Sequence, residues 1–190
     1  VAITAPWYKS LAAYPKVWTG GTNGLKHAEV ILIAAKDSAG LDAYRGKLAG
    51  KIIISDKDDN YTLSLEPDAH RFTDAELDSM ANETIKPTDT AAMRKRKEQF
   101  MKQFRSQRSM QNTLKEMALK EGALAMFTSS PRSHDGTIFV QQAGPYKLSD
   151  PENFLDIALQ YEDYMTIVRL LRNNIPVHID MDVATKFYTK

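Results

Sequence analysis

Residues 46–55 read Gly-Lys-Leu-Ala-Gly-Lys-Ile-Ile-Ile-Ser, and residues 120–128 read Lys-Glu-Gly-Ala-Leu-Ala-Met-Phe-Thr. Each stretch contains a short apolar run, which is typical of a buried strand. The second run follows Gly122, and glycine commonly ends a helix in a left-handed cap. A long helical pattern lies between the two runs. The order strand, helix, strand predicts two parallel strands with the helix packed on one face of the sheet.

Further strands and helices are predicted on both sides of this unit. The apolar runs that indicate strands are residues 29–35, 51–55, 123–128, 137–142, 154–160 and 177–183, and a helical turn is predicted at 41–45. Tyr164, Ile167, Val168 and Leu171 mark a second amphipathic helix, which ends before Pro176. Residues 1–28 are rich in turn signals and predict irregular structure with one short edge strand at most. The predicted fold class is α/β, with a mixed sheet and flanking helices.

Residues 91–121 contain neither glycine nor proline, so they predict one long helix of about 45 Å. In the second half, Met110, Leu114, Met117 and Ala118 form one apolar stripe, as docking on a sheet requires. The first half is basic, and only Glu98 opposes its positive side chains, which are Arg94, Lys95, Arg96, Lys97, Lys102, Arg105 and Arg108. We expect the first half to project beyond the sheet, or the helix to break near Ser106.

Residues 56–90 are acidic and weakly patterned, with ten acidic residues against Lys57, Arg71 and Lys86. That composition is typical of a surface segment. Together with the basic half-helix it predicts an insertion over residues 56–109.

The composition limits the classes of function. The chain has 190 residues, of which 43% are hydrophobic and 26% charged, which suits one core with an elaboration. The formal net charge is +1, so the chain as a whole has no strong attraction for nucleic acid or anionic membranes. The absence of cysteine excludes disulfides, thiolate zinc sites and a cysteine nucleophile. No apolar stretch approaches the roughly 18 residues of a membrane span.

An ordered set of motifs resembles one family. The motifs are Glu29-Val-Ile-Leu-Ile, Tyr44-Arg-Gly-Lys-Leu-Ala-Gly-Lys-Ile-Ile-Ile, Glu121-Gly-Ala-Leu-Ala-Met, Asp135-Gly-Thr-Ile-Phe-Val-Gln and Tyr164-Met-Thr-Ile-Val-Arg-Leu-Leu-Arg. In this order they resemble the protease-associated (PA) domain of secreted zinc aminopeptidases and carboxypeptidases. That family also includes the glutamate carboxypeptidases and transferrin receptor. The resemblance covers roughly residues 15 to 188, and the intervening segment 56–109 departs from the family pattern.

The resemblance implies a swivelling β/β/α fold and a single PA-like domain over residues 1–190, excised from a longer peptidase. It implies a non-catalytic module with no cofactor of its own, because the zinc belongs to the peptidase domain of the parent. The implied partners are that peptidase domain and a peptide substrate at the interface, with no nucleic acid and no membrane span. The implied location is periplasmic or extracellular.

Two regions are candidate contact sites. The loop after the 123–128 strand lies at the carboxyl end of a parallel strand, where open sheets usually bind ligands. We predict substrate or interdomain contacts there from Ser129, Arg132, His134, Asp135 and Gly136, with an ordinary solvated loop as the alternative. Arg132 is suited to a two-point contact with a substrate carboxylate.

The second candidate is an interdomain surface on the basic half-helix, formed by Arg94, Lys97, Phe100 and Phe104. One alternative is that this half-helix pairs with the acidic stretch that precedes it. Another is nucleic-acid binding through residues 94–108, since clustered basic residues neutralise phosphates and aromatic rings stack on bases.

His178 and Asp180 are similar to the His-x-Asp ligand pair of the zinc peptidases, and on a strand both side chains share one face. Zinc needs three or four ligands, and no further ligand cluster accompanies this pair. We therefore predict no metal site and no catalytic residue in the chain.

The sequence thus favours a non-catalytic accessory domain of an exported zinc exopeptidase, which shapes or covers the active-site cleft and mediates protein interaction. A stand-alone protein-interaction module without a linked enzyme is the alternative. Nucleic-acid binding is the third hypothesis.

Overall fold

The structure is a computed structural model, and it describes residues 1–59, 65, 67, 69–83, 91–130, 136–147, 149–150 and 152–188. The strands in this part of the chain are β1 (Ala2–Ala5), β2 (Lys9–Ser10), β3 (Ala13–Pro15), β4 (Lys26–Ile33), β5 (Ile52–Ser55), β6 (Ala125–Thr128), β7 (Asp156–Leu159) and β8 (His178–Met181). The helices are α1 (Asp74–Ala81), α2 (Ala91–Glu121) and α3 (Tyr161–Arg172), with a 3-10 turn at Gly40–Tyr44.

The eight strands form one mixed sheet in the order β2-β1-β8-β4-β5-β6-β7-β3. The four central strands β4, β5, β6 and β7 run parallel to one another, whereas the pairings β2–β1, β1–β8, β8–β4 and β7–β3 are antiparallel. In the central pair, Ile53 lies opposite Met126. The predicted α/β class and the predicted parallel pairing of the two signature strands are confirmed.

Successive residues of the central strands face opposite layers of the core. Ile52 and Ile54 on β5 and Phe127 on β6 pack in the cluster that contains α3. Ile53 and Met126 pack in the other cluster, with α2 and the 3-10 turn. Both faces of the parallel strands are therefore buried, which explains why these strands read as unbroken apolar runs.

The two signature stretches meet at the end of α2. Gly122 adopts a left-handed φ of 73°, and the Ala123 N–H donates to the Ala118 carbonyl oxygen over 2.9 Å, as in a glycine-capped helix. The Glu121 carboxylate accepts from the N–H of Gly46 at 2.8 Å and of Leu48 at 3.1 Å. The helix terminus thus holds the turn that leads into β5.

The long helix is continuous from Ala91 to Glu121, and the alternative of a break near Ser106 is wrong. We call residues 110–121 the docked half and residues 91–109 the projecting half. In the docked half, Leu114 is 1% exposed and Ala118 is fully buried. In the projecting half, every residue whose side chain is described is exposed.

Two expectations about strands are corrected. Residues 1–28 hold three short strands and the start of β4. β1 and β3 were missed because their partners β8 and β7 lie more than a hundred residues away and leave no trace in the local turn signals. Residues 137–142 form no strand, and only an isolated bridge joins Gln142 to Val17. β7 already pairs with β6 on one side and with β3 on the other, so this apolar run cannot pair with β7.

Helix α1 was not predicted. Its N-terminus is a capping box, in which the Thr73 hydroxyl accepts from the Glu76 N–H and the Glu76 carboxylate accepts from the Thr73 N–H. No residue of α1 is buried. The division of the chain into one domain with an insertion at 56–109 stays a prediction.

Candidate functional site

The first candidate region is the edge of the sheet where β5, β6 and β7 all reach their carboxyl ends. Ser129 directly follows β6. Gly136, with a φ of 78°, lies beside Gln160, the residue between β7 and α3, because a Cβ atom on Gly136 would be 3.4 Å from the Gln160 amide nitrogen. Two of the five residues predicted for this loop therefore lie near the expected edge. The other three, Arg132, His134 and Asp135, lie outside the described residues.

Ion pairs fasten the segment after β5 to α3. Arg172 donates through Nε to the Asp56 carboxylate at 2.8 Å. Arg169 donates through Nε to Asp59 at 3.0 Å, and its Nη2 contacts the same carboxylate. The hydrogen bond from Arg169 holds the pKa of Asp59 below its usual range, and a hydrogen bond from the Tyr161 hydroxyl acts in the same direction. Both aspartates are thus engaged by arginines of α3.

Lys57 lies between these two aspartates in sequence, but its ammonium turns inward. The Nζ atom is buried and has no hydrogen-bond partner among the described residues. It lies 5.3 Å from the ring centroid of Tyr161 and 5.9 Å from that of Tyr164. Burial lowers the pKa of Lys57. The Ser129 hydroxyl oxygen at the end of the neighbouring strand is likewise buried and without a partner in the described part of the chain.

Sequence reasoning missed Lys57, although a signal was present. A single basic residue follows the buried β5 strand, and Arg169 and Arg172 stand three residues apart on the helix that covers it. Residues three apart share a helix face. That pair indicates that α3 presents two cations to the acidic residues beside Lys57.

Tyr164 of α3 contacts this edge of the sheet. Its hydroxyl donates to the Ser55 carbonyl oxygen at 2.5 Å, at the end of β5. Burial raises the pKa of Tyr164 well above the ordinary tyrosine value, so the hydroxyl stays protonated and acts as a donor. Tyr164 therefore has a structural role at this edge.

On the α2 side of the sheet, a buried carboxylate joins four elements of the scaffold. Asp156 is 1% exposed and accepts from Lys16 at 3.1 Å and from the Thr128 hydroxyl at 2.7 Å. Lys115 of α2 lies 3.1 Å from the same carboxylate and also donates to the Ala143 carbonyl oxygen. Lys16 and Lys115 share this one carboxylate, so its removal would leave two partly buried cations without their counterion.

The His178 and Asp180 side chains lie on the solvent face of β8, as the spacing predicted. The β4 strand places Glu29 opposite His178 and His27 opposite Asp180. Asp180 pairs with His27 Nδ1 at 2.5 Å, and Glu29 pairs with Lys51 at 2.7 Å. Across the ranges the structure describes, no three histidine or acidic side chains are arranged to hold a metal ion. The residues present do not fit a zinc site.

The projecting half of α2 is the second candidate region. An open groove of about 490 Å³ runs along it, and its described lining consists of Arg94, Lys97, Glu98, Met101, Lys102 and Arg105. Phe100 and Phe104 stack with ring centroids 6.4 Å apart and an interplanar angle of 17°. They remain 66% and 49% exposed. The four residues predicted for this surface thus lie on one exposed, basic and aromatic helix segment.

No family model and no curated protein matches the chain. Among solved structures, a peptidase M28 precursor from Shewanella amazonensis SB2B is similar over 97% of this chain and 34% of its own, with a TM-score of 0.55 and 17% identity. An aminopeptidase from Aneurinibacillus sp. strain AM-1 is similar over 96% of this chain and 29% of its own, with a TM-score of 0.49 and 13% identity.

The chain therefore spans about a third of the length of the structures it matches. The likeness to the peptidase M28 precursor is one of fold, and it extends over nearly the whole chain. None of the helices in the described part of the chain is long and apolar enough to cross a membrane.

Proposed function

We propose that this chain is a non-catalytic PA domain of an exported, zinc-dependent exopeptidase. The observation that carries the proposal is the likeness of almost the entire chain to about a third of a peptidase M28 precursor. The ordered motifs of residues 29–33, 44–54 and 121–126 support the same assignment. In this proposal the domain shapes or covers the cleft in which the peptidase domain removes terminal residues.

The catalytic zinc would be held by the peptidase domain and not by this chain. His178 and Asp180 are the only pair here with the ligand spacing of such enzymes, and Asp180 is engaged by His27. The contribution of this chain would be shape, charge and contact surface.

The projecting half of α2 suits contact with a neighbouring domain. Phe100, Phe104 and Met101 expose apolar surface beside several cations. Clustered exposed apolar side chains bordered by polar ones are typical of interaction surfaces. Covering them would remove the rings from water, and acidic groups on the neighbour would pair with Lys97 and Lys102.

The carboxyl edge of the parallel strands is the proposed place of contact with the peptide substrate or the interdomain interface. Ser129 and Gly136 lie there, and Arg132, His134 and Asp135 belong to the same loop in sequence.

The test compares this chain with the protein encoded when the reading frame is followed beyond residue 190. The 190-residue chain should release no terminal residue from aminoacyl or peptide substrates and should carry no stoichiometric zinc. The longer protein should do both, and chelation should abolish its activity. Hydrolysis by this chain, or tight zinc binding lost in His178→Ala, would contradict the proposal. A stop codon shortly after residue 190 would instead support the stand-alone interaction module.

One observation favours nucleic-acid binding as a second candidate, namely the basic groove beside two stacked phenylalanines. That function requires an affinity for single-stranded oligonucleotides that falls steeply with salt. The double substitution Lys97→Glu with Lys102→Glu should then abolish binding, whereas Lys47→Glu and Lys51→Glu together, remote in sequence from the groove, should have little effect. A chain that binds no oligonucleotide at low salt excludes this candidate.

A further inference from the structure

We propose that Lys57 and Ser129 form a binding site for a small oxyanion, either a carboxylate or a phosphate, at the carboxyl edge of β5 and β6. This inference goes beyond the proposed function and does not depend on it. It starts from two buried polar atoms that have no hydrogen-bond partner among the described residues, the Lys57 Nζ and the Ser129 Oγ.

Ser129 directly follows β6, and Lys57 lies two residues beyond the end of the neighbouring strand β5. Ile54 of β5 is opposite Phe127 of β6, so continuing this register by two residues brings Asp56 level with Ser129. Ile54 and Phe127 both face α3, and side chains two positions further on share that face. Lys57 also turns to this side, because its Nζ lies over the rings of Tyr161 and Tyr164. Both unpaired atoms therefore lie beneath the start of α3.

Among the residues that the structure describes, the ammonium of Lys57 has no counterion. Asp56 is paired with Arg172, and Asp59 is paired with Arg169 and the Tyr161 hydroxyl. Asp156 is held by Lys16, Lys115 and Thr128. An unpaired buried charge is costly, whereas a charge that is paired and hydrogen-bonded is not. Counting only the described residues, the site is thus one negative charge short.

A small oxyanion supplies the hydrogen-bond acceptor that the Lys57 ammonium and the Ser129 hydroxyl lack among the described residues. One oxygen accepts from the Lys57 ammonium, and the Ser129 hydroxyl donates to the same anion. The first turn of α3 already carries Glu162 and Asp163, so the anion would be held by Lys57 and Ser129 and not by the helix terminus. Although its Nζ atom is buried, Lys57 as a residue is only partly buried. Its flexible four-carbon chain therefore lets the ammonium reach the surface, where it can meet an anion from solution.

The test follows the side-chain ¹³Cε resonance of Lys57 by NMR in the 190-residue chain, with the assignment made from Lys57→Met. The pH titration is recorded in chloride, acetate and phosphate at one ionic strength. Acetate or phosphate should move the Lys57 titration to higher pH in a saturable way, because the anion stabilises the protonated lysine. Acetate alone would indicate a carboxylate ligand, and phosphate alone a phosphorylated one.

Variants separate a site from nonspecific attraction. Lys57→Met should weaken acetate or phosphate binding by at least about tenfold, the factor expected from one charge-assisted hydrogen bond. Ser129→Ala should weaken it several-fold and leave the chain folded, while the exposed control Lys47→Met should not change it. Identical Lys57 titrations in the three salts would overturn the proposal. So would anion binding that survives in the Lys57→Met variant.

Discussion

The two halves of α2 belong to one uninterrupted helix, but they differ in how their side chains pack against the rest of the domain. The docked half places Leu114 and Ala118 in the core against β5 and β6. The projecting half buries no described side chain, although it carries Met93, Phe100, Met101 and Phe104. Both halves contain large apolar residues, but only the docked half arranges them in one stripe, whereas the projecting half is basic. The difference teaches that the docked half contributes to the core, whereas the described side chains of the projecting half do not, which agrees with the proposal that this half contacts a neighbouring domain.

The largest expected effect comes from truncating one apolar side chain in each half. Leu114→Ala should lower the free energy of unfolding by about 2–5 kcal/mol, because it leaves a cavity in the core. Phe104→Ala removes a larger side chain but should change it by less than about 0.5 kcal/mol, since the ring is exposed. Chemical denaturation measures both. Equal losses would mean that the projecting half also packs on the domain.

The second expected effect contrasts a buried carboxylate with an exposed one. Asp156→Asn should lower the free energy of unfolding by about 2–3 kcal/mol, because Lys16 and Lys115 lose their shared counterion. Asp42 forms an exposed ion pair with Arg45, so Asp42→Asn is the matched control and should cost less than about 1 kcal/mol. If the two substitutions cost the same, Asp156 does not have the structural role described above.

A smaller effect is expected at Lys57. Burial lowers its folded-state pKa, so the unfolded chain binds the proton more tightly. Stability should therefore rise with pH between the folded-state pKa and the ordinary lysine value of 10.5, where only the unfolded chain is still protonated.

Lys57→Met should remove that slope and increase stability at neutral pH by about 0.5 kcal/mol, a small figure because the residue is partly exposed. Thermal unfolding of both proteins across neutral and alkaline pH measures the difference. Lys47→Met should keep the slope of the parent chain. A Lys57→Met variant with an unchanged pH profile would show that Lys57 titrates normally.

The smallest effect on global stability is expected at α1. Thr73→Ala removes the hydroxyl of the capping box, which stabilises a helix by about 1 kcal/mol. Because α1 buries no residue, the unfolding midpoint should not move, while the amides of Asp74–Ala81 should exchange with solvent faster. A shifted midpoint would show that α1 packs on the rest of the domain.

Local patterns predicted the elements whose contacts are local or strongly apolar. The central strands β5 and β6 and the helix α2 between them follow from apolar runs, a glycine cap and one helical stripe. The short strands β1 and β3 were missed because their partners β8 and β7 are distant in the chain. The run at 137–142 was wrongly predicted to be a strand. A strand also needs a neighbouring strand with an unpaired edge, and the local sequence pattern does not show whether one is present.

The candidate site was predictable to a similar extent. Ser129 and Gly136 follow from the rule that ligands meet the carboxyl ends of parallel strands. Lys57 was not predicted by this rule. Its unusual feature is that Asp56 and Asp59 pair with α3, so that neither of them pairs with the lysine. His27 was also missed, since its contact with Asp180 arises from the register of β4 on β8.

Hydrogen exchange along α2 tests the central claim most directly, when it is measured on the 190-residue chain and on the longer protein of the proposed function. We predict that residues 110–121 are protected in both proteins, and that residues 91–109 exchange rapidly in the chain and become protected in the longer protein. Equally rapid exchange of residues 91–109 in both proteins would contradict the claim that the projecting half is an interdomain surface.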